Sequence, residues 1–344
     1  MPSENVKIYK SKKYNYIFNR KNGFFIRWGK TYKHNPNFSP VGPEILDIEV
    51  STICSKACNW CYKSNNPKGR YMPFELFKRI FDKFPKTLTQ IAFGIGDIDG
   101  NPDLFKIMSY CRNNDVVPNI TINGERMTDY YYDKLVELCG AVAVSHYNDK
   151  VCFNAIKELG NRGLEQVNIH KLLCKETYKD CLALIDKTKY LKELNAIVFL
   201  WIKPLGANNS FRQLDSLGNY KKLVDYAMDR NRRIGFDSCS ASSFLKTVKG
   251  RKNYKALETL VEPCESTLFS YYINVNGVGY PCSFSEHTIW GINLLYIKNF
   301  IKEVWYEKEI KRFRKKLIRN VDSNKCRMCP IYDLKLEEGV CGKV

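Results

Sequence analysis

Apolar and β-branched residues recur along the chain as short runs separated by longer amphipathic stretches. Strand-like runs lie at 46–53 (LDIEVSTI), 90–96 (QIAFGIG), 118–123 (PNITIN), 141–146 (AVAVSH), 166–173 (QVNIHKLL), 195–203 (NAIVFLWIK) and 233–238 (RIGFDS). Helical patterns fill the gaps, as at 73–84 (PFELFKRIFDKF), 127–138 and 176–192. Strands that alternate with helices predict a parallel sheet. Six or seven such units predict an α/β fold, a partial (β/α)6 TIM-like barrel with its chemistry at the C-terminal strand ends. A doubly wound sheet is the alternative.

The flanks follow other patterns. Residues 14–28 (YNYIFNRKNGFFIRW) place two aromatic runs around Asn22-Gly23, the signature of a β-hairpin, and Pro36, Pro40 and Pro43 mark a linker after it. Beyond about residue 250 the alternation stops. A strand pair is expected around Gly277 and Gly279, then a basic helix in which Ile310, Phe313 and Leu317 alternate with Lys311, Arg312, Arg314, Lys315 and Lys316. That spacing reads as a solvated face over a packed one. The expected division is therefore a hairpin and linker over 1–45, a barrel over 46–245 and a small C-terminal domain over 246–344.

At 344 residues and 44% apolar content the chain can bury a sizeable core. No run approaches the length of a membrane span, and the start MPSENVKIYKSKKY has no apolar signal region, so the expectation is a cytoplasmic protein with no membrane partner. The net charge is +19, and residues 1–45 carry nine Lys/Arg against Glu4 and Glu44. Such a balance raises encounter rates with polyanions and acidic segments. The basic residues are scattered and no RNA-binding module is evident, so nucleic acid is not favoured as a partner.

Fourteen cysteines change the picture more than the charge does. In a reducing compartment, clustered cysteines are metal ligands or catalytic groups more often than disulfides. Cys111, Cys139, Cys152, Cys174 and Cys181 stand alone within patterned segments and read as small buried hydrophobes. Cys54-Ser-Lys-Ala-Cys58-Asn-Trp-Cys61 differs: it follows the first barrel strand directly. Three thiolates leave one iron of a four-iron cluster without a protein ligand, and an open metal position is where a cosubstrate coordinates. Structural zinc, the competing reading, needs a fourth ligand that no neighbouring His or Cys supplies.

This segment resembles the signature of the radical SAM superfamily, including the aromatic Trp60 before the third cysteine. The resemblance implies a [4Fe-4S] cluster on Cys54, Cys58 and Cys61 whose open iron is chelated by S-adenosylmethionine. It implies reductive cleavage to a 5′-deoxyadenosyl radical that removes a hydrogen atom from a substrate. It further implies cofactor contacts from Trp60 and Tyr62, and from Gly94, Gly96 and Asp97 in Gly94-Ile95-Gly96-Asp97. That stretch departs from the usual Gly-Gly-Glu-Pro form, and a simple tight turn is its plain alternative. Thr121 and Asn123 in Thr121-Ile122-Asn123-Gly124 are similar to the family's segment near the cofactor ribose. Ser145, and His170 beside Lys171, end or lie on the next two strands, where the resemblance implies contacts to carboxylate and ribose. A satisfied core histidine is the alternative for His170.

Cys264-x12-Gly277-x4-Cys282 followed by Cys326-x2-Cys329 resembles the auxiliary-cluster domains called SPASM and twitch. The shorter, single-cluster twitch type fits better, which implies an auxiliary [4Fe-4S] cluster on Cys264, Cys282, Cys326 and Cys329. Cys341 replaces one of these or stays free. Four thiolates also suit structural zinc.

The reaction type is less constrained. Asp237-Ser238-Cys239 ends the last barrel strand. Cys239 there is a candidate donor of a hydrogen atom back to a substrate radical, a ligand for substrate or cluster, or a packed thiol. An oxidation needs a base. Sulfatase-maturing relatives carry an Asp where this chain has Ser283, which leaves Asp237 and Glu286 as candidates. The leading expectation is modification of a peptide or protein side chain. Alternatives are dehydrogenation of a small polyol, aminocyclitol or sugar, nucleotide or RNA modification, and a non-catalytic metal or electron-transfer protein. The expected partners are a peptide or small-molecule substrate and a flavodoxin- or ferredoxin-type electron donor.

Overall fold

The computed structural model describes residues 5–203, 205–206, 208–321 and 327–331. The chain opens with β1 (Val6–Tyr9), β2 (Asn15–Asn19) and β3 (Phe25–Trp28), an antiparallel sheet in the order β1-β2-β3. The expected hairpin is β2 and β3. Strand β1 is an addition, hidden in the sequence by its four-residue length and the lysines around it.

The alternating segment follows as β4 (Ile45–Glu49), α1 (Phe74–Phe81), β5 (Gln90–Gly94), α2 (Leu104–Asn113), β6 (Val117–Ile122), α3 (Asp129–Leu138) and β7 (Val142–Ser145). It continues through α4 (Asp149–Asn161), β8 (Val167–Leu173), α5 (Tyr178–Lys187), β9 (Ala196–Trp201), α6 (Leu217–Asp229) and β10 (Ile234–Phe236). Strands β4 to β10 pair in parallel and in sequence order. Sequential order is the winding of a barrel, whereas a doubly wound sheet reverses direction at a switch point. The fold is a partial barrel.

Helices α7 (Ala241–Val248) and α8 (Tyr254–Thr259) lead to β11 (Ser270–Ile273), β12 (Val278–Tyr280), β13 (Ile292–Asn293) and helix α9 (Lys308–Arg319). Strand β11 pairs in parallel with β4 on the side away from β5, and β12 and β13 follow antiparallel. The C-terminal hairpin thus extends the barrel sheet. Its turn needs Gly277 at φ +78°, where a Cβ would stand 2.7 Å from Ile80.

Strands β5, β6, β8 and β9 show period-two burial most clearly. Leu46, Ile48, Ile91, Phe93, Ile120, Ile122, Val142, Val144, Ile169 and Phe199 pack against the helices with Phe77, Ile107, Leu135, Ile156 and Leu223. Fully burying each such side chain stabilises by roughly 1.5–3 kcal/mol. The five isolated cysteines are all buried, as expected of small apolar groups. The alternate residues, among them Asp47, Glu49, Gly94, Thr121, Ser145 and His170, fall on the other, concave face.

The N-terminal sheet is docked through Tyr14, Tyr16 and Phe18, which share a second core with Leu268, Phe269, Phe313 and Leu317. Helix α9 buries Ile310, Phe313 and Leu317 as its spacing predicts. It also buries Arg314, which the pattern placed on the solvated face. The Arg314 guanidinium donates to the carbonyls of Thr267 (2.6 Å) and Trp305 (2.9 Å) and lies 4.6 Å from the Trp305 ring centre.

Candidate active site

Beyond β4 the chain runs out and back before α1. The two arms of this excursion pair: Met72 N–H donates to Val50 O (2.9 Å), Thr52 N–H to Arg70 O (2.9 Å) and Cys54 N–H to Asn66 O (3.0 Å). The tip is wound tightly, with Cys61 N–H on Cys58 O (3.0 Å), Ser64 N–H on Cys61 O (2.9 Å), and Ala57 and Ser64 in the left-handed region. Cys54, Cys58 and Cys61 all lie on this tip and are half-buried. Burial pushes the Cys58 thiol up, and the neighbouring Cys54 and Cys61 push it the same way. The Tyr147 hydroxyl, past the end of β7, is also raised, by burial first and then by all three thiols. Trp60 stacks on Phe211 (4.6 Å between ring centres), and the Tyr62 ring lies 4.7 Å from Phe284. Among the described residues, no three His, Cys, Asp or Glu side chains form a group that could hold a metal ion.

The loop is clasped from below by the residues after β5. Gly96 packs so closely that a Cβ there would sit 2.1 Å from Ile53 O and 2.6 Å from Cys54 Cβ. Asp97 N–H donates to Ile53 O (2.9 Å). The Asp97 side chain, 1% exposed, accepts from Ser55 N–H (2.8 Å), Ser55 Oγ (3.1 Å) and Asn123 Nδ2 (2.9 Å). Asn123 Oδ1 in turn accepts from Glu125 N–H (2.9 Å). Asp97, expected with Asn123 as a cofactor contact, is thus hydrogen-bonded both to the cysteine loop and to Asn123.

Gly94 is opposite Glu49 on β4 and Thr121 on β6, and Ser145 is opposite His170 on β8. Thr121 Oγ1 and His170 Nδ1 stand 3.5 Å apart. Burial pushes His170 down to about 4, so its ring is neutral at neutral pH. Gly94, Thr121, Ser145 and His170 are therefore brought together on the concave face at the C-terminal strand ends.

Two lysines, Lys203 buried and Lys63 partly so, add a feature that the sequence did not signal. Lys63, two residues past Cys61, bonds to Glu286 and to Tyr272 Oη (2.5 Å), and its Nζ is 3.3 Å from Glu49 Oε1. Glu49 Oε2 accepts from Val275 N–H (3.2 Å). Lys203, 4% exposed, pairs with Asp237, donates to Trp201 O (2.8 Å) and lies 4.9 Å from the Phe284 ring centre. Asp237 also accepts from Ser240 Oγ (2.7 Å) and Trp201 N–H (3.2 Å). Both carboxylates expected as bases, Asp237 and Glu286, are held in ion pairs. Their lysines lie 34 and 223 positions away in the chain, a separation no local pattern reports.

Of the second cysteine set, Cys264, Cys282 and Cys329 are described, and Cys326 and Cys341 lie outside the described residues. Burial pushes Cys264 up to about 12, with Cys282 and Cys329 adding to it, and Cys282 up to about 11. Arg327 donates to the carbonyls of Pro263 (3.0 Å) and Cys264 (2.9 Å), which ties the segment bearing Cys329 to Cys264. The Cys239 thiol is raised by burial; Lys203 opposes the shift, and Asp237, Cys264 and Cys329 add to it. Cys239 is thus within electrostatic reach of Cys264 and Cys329.

Residues 48–186 match the radical SAM superfamily, so this stretch is a radical SAM domain. Enzymes of this superfamily use a [4Fe-4S] cluster and S-adenosylmethionine. No curated protein matches the chain. Among solved structures, Streptococcus suis SuiB bound to S-adenosylmethionine is similar over 98% of this chain and 95% of its own, at 15% identity and a TM-score of 0.70. SuiB bound to its precursor peptide SuiA is similar over 98% and 94%, at 13% identity and a TM-score of 0.70. Native anSMEcpe with bound AdoMet and Cp18Cys peptide is similar over 82% and 85%, at 15% identity and a TM-score of 0.58. At such identities the likeness shows the fold. Among the described residues no helix is long and apolar enough to cross a membrane.

Proposed function

We propose that this chain is a radical SAM enzyme that modifies a side chain of a peptide or protein. The observation that carries the reading is a tightly wound loop with three half-buried thiols, clasped by Gly96 and Asp97 at the open C-terminal end of a parallel barrel. When bound there, a four-iron cluster with S-adenosylmethionine supplies a 5′-deoxyadenosyl radical able to remove a substrate hydrogen atom. Cys54, Cys58 and Cys61 would ligate the cluster. Gly94 leaves the wall beside them open, and Thr121, Ser145 and neutral His170 present polar groups that suit a carboxylate and a ribose.

Cys264, Cys282 and Cys329, with Cys326, would hold an auxiliary cluster over 246–344, and a flavodoxin- or ferredoxin-type protein would supply the electron in the cytoplasm. The peptide substrate is supported by fold alone: SuiB and anSMEcpe share the architecture, and their structures hold peptides. Cys239 has a second use, as a donor of a hydrogen atom to a substrate radical. Its electrostatic coupling to Cys264 and Cys329 supports a ligand role equally.

Anaerobic reconstitution followed by reduction in the presence of S-adenosylmethionine tests the reading. The expected result is about eight irons per chain and release of 5′-deoxyadenosine. The triple variant Cys54→Ala, Cys58→Ala, Cys61→Ala is expected to retain about four irons and release none. Wild-type chain that binds iron but forms no 5′-deoxyadenosine would overturn the enzyme reading.

A further inference from the structure

We infer that the Lys63 ammonium tunes the reduction potential of the cluster on Cys54, Cys58 and Cys61, and that the C-terminal segment holds it in place through Glu286. The inference rests on the cluster reading above and concerns how that site is regulated.

Lys63 stands two residues past Cys61, and its side chain is 9% exposed. Its Nζ donates to Glu286 and to Tyr272 Oη (2.5 Å), and Glu49 Oε1 lies 3.3 Å away. Glu49 ends β4, Tyr272 lies on β11, and Glu286 is four residues past Cys282. The stretch that leads to Glu286 is a tight turn. Cys282 N–H donates to Ser285 Oγ (3.1 Å), and Ser285 N–H (3.0 Å) and Oγ (2.7 Å) both donate to Cys282 O. Cys282, a ligand in the auxiliary reading, therefore anchors the partner of a cation that stands beside the first site.

Packing does not need this charge. The Tyr62 and Phe284 rings already join the two loops, and an enclosed ion pair is weak evidence of stability, because apolar groups of similar volume often do as well. The charge has a use at a redox site. An added electron makes a cluster more negative, and a cation nearby favours that state. Among the described residues, Arg126 is within electrostatic reach of Cys54, Lys56 of Cys58 and Lys63 of Cys61. Their side chains are 53%, 23% and 9% exposed, in that order. Solvent and salt screen an exposed charge far more than an enclosed one, so Lys63 acts most strongly of these. Glu286 anchors the ammonium and also offsets it, so the two residues act on the potential with opposite sign.

The full chain, reconstituted anaerobically with iron and sulfide, is titrated with dithionite and followed by electron paramagnetic resonance. The first cluster is the one whose signal changes when S-adenosylmethionine is added. Lys63→Met should lower its midpoint potential and Glu286→Gln should raise it. Each shift should be roughly threefold or more in the reduction equilibrium, about 28 mV for one electron. Lys63→Arg, which keeps the charge, should stay close to wild type. A purely structural role would move K63M and E286Q in the same direction, so shifts of one sign, or no shift, overturn the inference. E286Q keeps the size and polarity of its side chain and decides the matter alone if K63M does not fold: a raised midpoint supports the inference, and a lowered or unchanged one overturns it. Failure of the cluster reading itself is told apart in the wild type, as iron–sulfur signals of which none responds to S-adenosylmethionine.

Discussion

Gly96 and Asp97 show how single residues fix the cysteine loop. An Ala at 96 would bring its Cβ within 2.1 Å of a backbone oxygen, so Ile53 and Cys54 must move. Gly96→Ala should cost about 1–3 kcal/mol in urea unfolding and lower the iron bound at the first site. Asp97→Asn puts an amide N–H against the donors Ser55 or Asn123 and removes a charge-assisted acceptor. It should cost about 1–3 kcal/mol and reduce the iron count from about eight toward about four, read by iron assay after reconstitution. An unaltered count in D97N would return Asp97 to the role of a simple turn residue. At this scale the cysteines were legible because spacing on one loop is a local property. The Lys63 and Lys203 pairs left no signal, since their partners are joined only by the fold.

At the scale of elements, period-two strands and 3.6-period helices were enough to locate β4 to β10 within a few residues. The burial that creates those patterns also holds the strands in place. Where the pattern gave out, the cause was context. Arg314 reads as polar but is satisfied by two carbonyls and aromatic faces. The β11–β4 pairing joins segments more than 200 positions apart, so no local window contains it. Caps, by contrast, are local. Asn148 Oδ1 accepts from Val151 N–H (3.1 Å) at the start of α4, directly after β7. Asn148→Ala should lower stability by about 1 kcal/mol in chemical denaturation, and Asn148→Ser should restore most of it.

For the whole molecule, the N-terminal sheet, the barrel and the C-terminal segment meet at one buried charge cluster. Arg27 on β3 pairs with Glu44, just before β4 (2.9 Å), and with Glu262 (3.0 Å) and Glu265 (3.1 Å) ahead of β11, and its guanidinium covers the Phe269 ring. Tyr14 also bonds to Glu44. Burial outweighs these partners and raises the Glu44 carboxyl from its ordinary 4.5 to about 7. In the unfolded chain Glu44 gives up its proton near 4.5, while in the folded chain it holds it to about 7. Between those values the unfolded state binds fewer protons, so this group's contribution to stability falls as pH rises. Glu44→Gln cannot ionise. The stability of wild type minus E44Q should therefore be level below about pH 4, decline by roughly 3 kcal/mol up to about pH 8, and level again. Glu265 is shifted the same way and is common to both proteins, so it largely cancels from the difference. Urea unfolding at stepped pH measures the quantity directly. A difference that rose with pH would mean that Arg27 stabilises the Glu44 carboxylate by more than burial opposes it, and the cluster would then clamp the three parts together most tightly in alkali.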